Sequence, residues 1–156
     1  MSNPYLDYLA ALVAAAKVAS SLTGVSVVDG PRVSSESEKL RLYFGADIDP
    51  ASGLSAEGTN TPSMPGLVDE DAFTILCVAE CWYGGTDIAA SRVQAFAIKD
   101  AVENLVDPAP DGRYQGVYSI AFAYLGSWQL YQAQTTKGAY VGLHFRIECQ
   151  TRPVPS

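Results

Sequence analysis

Histidine is nearly missing from this chain: His144 is the only one in 156 residues. Its side chain titrates nearest neutrality, so it supplies most catalytic acid–base pairs and many metal ligands. A Ser-His-Asp or Cys-His centre would have to recruit His144, and no G-x-S-x-G elbow accompanies it. No Walker A loop, no G-x-G-x-x-G and no H-E-x-x-H occurs either. The expected lists of catalytic, metal-binding and cofactor-binding residues are therefore empty, and the chain is not expected to be an enzyme.

Cysteine is scarce as well, at three residues. Cys77 and Cys81 fall in one expected strand, roughly 13 Å apart at about 3.3 Å per residue. That separation is too long for a disulfide. The count is odd and no C-x-x-C occurs, so three reduced structural cysteines are expected. Long apolar runs are missing too. The best candidate, "YLAALVAAAKVASSL", is broken by Lys17 and by serines and falls short of the ~20 residues a membrane span needs. It also lacks a basic leader region, so it is a poor signal peptide and the expected compartment is cytoplasmic.

Basic charge is the last scarcity. The net charge is −7, from 10 Lys and Arg against 17 Asp and Glu. Residues 46–71 carry Asp47, Asp49, Glu57, Asp69, Glu70 and Asp71 with no Lys or Arg. A protein that grips nucleic acid by its phosphates needs a basic footprint. None is present, so a sequence-specific DNA or RNA binder is not expected. "DIDPASG" begins like a calcium loop, but Ala51, Ser52 and Gly58 occupy positions that need a ligand, a glycine and a bidentate glutamate.

What is present is a core. Apolar residues make up 48% of the chain, enough for one globular domain over 1–156. Asn3-Pro4 should open a helix, with Asn as cap and Pro in the first turn. Tyr5, Leu9, Leu12, Ala16 and Ala19 then share one stripe, and the helix should end near Ser21. "VSVVDGP" and "KLRLYFGA" read as strands. Residues 46–71 have Gly, Pro and Ser throughout and no periodicity, and read as an inserted acidic loop. "AFTILCVAECWYG" is apolar on both alternations, hence a central strand covered on both faces. Thr86 or Asp87 should cap a second helix that Asp107-Pro108 stops. "VYSIAFAYL", "WQLYQAQ" and "GAYVGLHFRIECQTR" read as three strands of a meander, with Gly126-Ser127 as the first turn. Residues 153–156 read as a flexible tail. The expected fold class is α+β: a twisted, mainly antiparallel sheet of five to six strands with two helices packed on one face.

The last strand poses a question of its own. Ala139, Val141, Leu143, Phe145, Ile147 and Cys149 form its apolar set, and Tyr140, His144, Arg146 and Glu148 its polar one. Trp128, Tyr131, Tyr118 and Tyr124 lie close by in sequence. Aromatic residues and Arg are enriched where proteins meet. An interaction surface is expected here, with Trp128, Tyr131, Tyr140, His144, Arg146 and Glu148 as its candidate residues.

The order of elements resembles a known family. "NPYLDYLAALVAAAKVA" leads to "VVDGPRV". "AFTILCVAECWYGGTDIAASRVQAFAIKDAVENLV" follows, and "GSWQLYQAQTTKGAYVGLHFRIECQTR" closes the chain. This pattern is similar to the tail terminator, or tail completion, proteins of long-tailed bacteriophages, particularly those of actinobacteria. The resemblance implies a virion protein of the tail or neck, assembled in the host cytoplasm. It implies a homo-oligomeric ring of six on the head-proximal end of the tail tube, which stops tube growth. Its partners would be further copies, the tail tube protein and a head–tail connector or stopper. Genome DNA would pass through without specific binding, and no membrane would be involved. Asp47, Asp49, Glu57, Asp69, Glu70 and Asp71 would then face the lumen or a partner. Another neck component, a connector or stopper, shares much of this pattern. A tail tube protein fits less well, because two good helices are expected here; a small enzyme or a ligand-binding module fits least.

Overall fold

The computed structural model describes residues 3–30, 40–47, 54–61, 68–83, 87–136, 138–152 and 154–155. Helix α1 spans Pro4–Val18 and starts where the sequence places it. The Asn3 side chain accepts hydrogen bonds from the N–H groups of Tyr5 and Leu6, at 2.9 and 3.3 Å. These are two of the donors that the first turn of any helix leaves without a partner. A single 3-10 turn, Ser20–Leu22, follows. Helix α2 spans Ile88–Val106, and Asp87 caps it by accepting from the Ala90 N–H at 3.0 Å. Among the described residues, neither helix is long and apolar enough to cross a membrane.

The strands are β1 (Ser26–Asp29), β2 (Leu40–Phe44), β3 (Ala56–Thr61), β4 (Val68–Tyr83), β5 (Ile120–Thr135), β6 (Gly138–Thr151) and β7 (Val154–Pro155). Their order in the sheet is β1-β2-β4-β6-β5, with β3 and β7 paired to β4 off that path. Among the described strands only β1–β2 is parallel; the remaining pairs are antiparallel. The α+β class expected from the sequence is the class observed.

Both helices lie on one face. Tyr8, Leu12 and Ala16 of α1 and Ala95, Ile98 and Val102 of α2 join a single core with Leu42, Phe44, Ile75, Cys77, Leu143 and Phe145. On β4 and β6 the odd-numbered residues point at the helices. The even-numbered ones point to the opposite face, which carries no helix. On β4 that face is buried too: Leu76, Val78 and Glu80 are each at most 1% exposed. The strand is therefore central, as its double apolar alternation predicts. The three cysteines are free and buried. Burial pushes the Cys77 and Cys149 thiols well above their usual range, which keeps them protonated and unreactive.

Three expectations need correction. Residues 46–71 are not one structureless loop. Ala56–Thr61 forms β3 and pairs with Glu70–Ile75, so the acidic segment contains a strand, and β4 starts at Val68. "AEGTNT" has no apolar alternation because its strand character comes from backbone pairing with β4. Gly126-Ser127 is not a turn. It is a bulge within one 16-residue strand, β5, where the register steps from Leu125↔Ile147 to Trp128↔Phe145. One extra residue on β5 is absorbed there without reversing the chain. The C-terminal tail is also partly built in, since Val154 and Pro155 pair with Asp69 and Val68.

Strand order also departs from chain order. β6 follows β5 in sequence, yet it sits between β4 and β5 in the sheet. The last long strand is interior, and β5 forms the edge.

Candidate interaction surface

The helix-free face is built from even-numbered residues of β4 and β6 and their cross-strand neighbours. Directly opposite residues on one face bring their side chains together. Tyr140 and Trp82 are such a pair, with ring centroids 4.6 Å apart. One step along, Glu80 lies between Gly142 on β6 and Arg41 on β2. The next row joins Gln129, His144, Val78 and Tyr43 across four strands. Past β2 the Gly45 and Ala46 N–H groups both donate to the Leu76 carbonyl, at 2.7 and 3.0 Å, and Ala46 packs against Tyr43 and Val78 on this face. The next residue, Asp47, is within electrostatic reach of His144. Farther along, the Thr74 hydroxyl donates to Glu148 at 2.6 Å.

Polar does not mean exposed on this face. Arg41 is 9% exposed, Glu80 1% and His144 5%. His144, expected on an outer polar face, is therefore a buried residue that supports the surface rather than presenting it. Burial holds the imidazole pKa below its ordinary value; Asp47 opposes that shift and Arg146 adds to it. A base whose folded-state pKa is depressed leaves stability intact above its unfolded value, about 6.5. Stability then falls as the pH drops from there toward the folded value. His144→Gln removes this component, so the stability gap between wild type and variant should narrow on acidification through that window. Urea titrations of both proteins at stepped pH values check this.

Gly126 has a packing reason to be glycine. A Cβ there would lie 2.9 Å from Cγ of Glu148. Gly126→Ala should push Glu148 off its bond with Thr74 and cost about 1–3 kcal/mol. Adding Glu148→Ala removes the obstruction, so the double variant should be more stable than the summed single effects predict. A denaturant-based double-mutant cycle measures that coupling.

The six candidate interface residues do not form one cluster. Tyr131, Tyr140, Arg146 and Glu148 lie on the helix-free face with buried His144. Trp128 is on the other face, edge-on to Phe96 of α2 at 5.2 Å, and is still 51% exposed. The acidic candidates separate as well. Asp47 acts electrostatically on His144. Glu57 and Asp71 line a groove with Asn3, Tyr5 and Thr151 at the start of α1. Asp69 and Glu70 belong to β4, and Asp49 lies outside the described residues.

Two residues outside that set matter for the surface. Phe122 and Tyr124 stack at 6.2 Å on the helix-free face of β5, 43% and 53% exposed. The alternation of "AFAYL" carries this signal, but only once β5 is known to be an edge. Among the described residues, no group of three or more His, Cys, Asp or Glu converges as a metal site.

Fold and surface together define a small α+β domain with one helix-covered face, a half-buried polar face and an aromatic edge strand. No family model matches the chain, and no curated protein matches it. Among solved structures it is similar to a chain in the virion of a native gene transfer agent (GTA) particle. The likeness covers 91% of this chain and 93% of that one, with a TM-score of 0.58 and 11% sequence identity. At that identity the likeness is one of fold.

Proposed function

We propose that this chain is a structural protein of a phage-like virion, and that it acts there as the tail terminator. In this reading, copies form a ring on the head-proximal end of the tail tube, stop its growth and present a surface to the head connector. The observation that carries the virion role is the end-to-end fold likeness to a chain of such a particle. The terminator role rests on the order of sequence elements together with the exposed aromatic strand and the half-buried polar face. A net charge of −7 suits a ring through which DNA must slide, because it repels phosphates. Tyr131, Tyr140, Arg146 and Glu148 are the ring or tube contacts on the helix-free face, and Trp128 is a contact on the other.

Arg146→Glu reverses a charge on a half-buried position without touching the apolar set of β6. It should weaken ring assembly at least about tenfold, the effect of opposing like charges in a partly buried contact. The circular dichroism of the subunit should not change. Equal assembly by wild type and variant, followed by light scattering, would remove this face from the interface.

The terminator role itself is tested on headless tails. Gold-labelled protein should decorate one end of each tube and arrest its elongation. Label on connector-bearing heads but not on tubes would make the chain a connector or stopper. Open-ended tubes of the protein alone would make it a tail tube protein.

A further inference from the structure

We propose that the outer edge of β5 is an assembly edge, and that it takes a strand from a second copy of this chain. The inference concerns how copies join and holds whichever neck position the protein occupies.

β5 ends the sheet, and among the described residues no strand pairs with its outer side. It is 16 residues long. An unpaired edge of that length is a template for another chain, and proteins that stay monomeric protect such edges. The usual protections are short length, edge lysines, prolines, inward-pointing charges and bulges. Of these β5 has only bulges. Between Arg113 and Lys137 there is no charged residue at all, and β5 contains no proline. Its two bulges, beside Ile120 and at Gly126-Ser127, bend the strand without ending it.

The side chains add to the backbone. Phe122, Tyr124 and Tyr131 on the helix-free face and Trp128 on the other are 43–53% exposed. Aromatic side chains carry about 150–250 Å² each, so these four offer roughly 400 Å². Backbone and the exposed Gln129, Gln132 and Gln134 extend that toward the ~800 Å² per partner of a stable interface.

Charge identifies the occupant. Two copies of a chain carrying −7 repel wherever their acidic surfaces approach. The neutral β5 strip is where they can meet without that penalty. A basic partner would find nothing there to recognise. An edge strand also needs another edge strand, and the two ends of the main strand path in each copy are candidates. One is β5 itself, which would close a two-fold pair. The other is β1 at the far end of the same sheet, which would propagate around a ring.

Hydrogen exchange of the full-length protein, measured with native mass across a concentration series, tests this. As mass rises, the β5 amides that point away from β6 should slow at least about tenfold, because each gains a carbonyl partner. The double variant Tyr124→Lys/Tyr131→Lys should need at least about tenfold more protein to assemble. Val93→Lys, at an exposed position on α2, should assemble as wild type. The wild-type exchange data stand even if the double variant fails to fold. Assembly with β5 exchange unchanged would overturn the proposal, and so would a monomer at every concentration or β5 protection only after a tube protein is added. A β5-protected dimer that grows no further would uphold this inference while removing the ring. A ring with unprotected β5 would do the reverse.

Discussion

Phe145→Ala should cost about 3–5 kcal/mol, the range for deleting a buried aromatic ring from a close-packed core. Phe145 is fully buried on the helix side of β6, between Cys77 of β4 and Trp128 of β5 in register. Three strands and α2 therefore meet around one ring. The sheet is tied by its backbone ladder on both sides of β6, so it has little freedom to collapse into the space vacated. A domain of this size has about 5–15 kcal/mol of stability in all. The variant should be folded only marginally at 25 °C and should lose its near-ultraviolet circular dichroism several molar units of urea earlier than wild type. A loss below about 1 kcal/mol would mean that β6 is not the centre of the core.

Arg41→Met should rank next, at about 1–3 kcal/mol, because it withdraws the positive group that stands directly across the ladder from Glu80 on a buried face. Arg41 on β2 and Glu80 on β4 are cross-strand neighbours, and both are at least nine-tenths buried. Opposite charges directly across a ladder attract, and more strongly where the surroundings hold little water. The double change Arg41→Met/Glu80→Leu should cost less than the summed single effects, since each residue is the other's cross-strand neighbour. Guanidinium titrations of the two single variants and the double variant give the coupling directly. Additive effects would show that the two side chains do not share one environment.

Much of the fold is legible in the sequence where a single residue or a local period carries the signal. Asn3, Pro4 and Asp87 announce the helix starts, and "AFTILCVAECWYG" announces a strand buried on both sides. β3 is not legible, because "AEGTNT" offers no apolar face and exists as a strand only through β4. Gly126-Ser127 imitates a turn, yet Gly126 is needed for the close approach of Glu148. The surface is harder still. An alternating pattern divides a strand into two faces but does not say whether the polar face reaches water. Arg41, Glu80 and His144 come from three strands far apart in sequence, and each is buried among neighbours that only the sheet order brings together. The edge position of β5 is hidden for the same reason. The chain ends on β6, but the sheet ends on β5.

The account as a whole stands on self-assembly. Native mass spectrometry of the purified protein, with negative-stain imaging at low and high concentration, tests it most directly. Closed rings of one small, fixed subunit number are the expected result. A strict monomer at every concentration, or open tubes without a defined end, would contradict it.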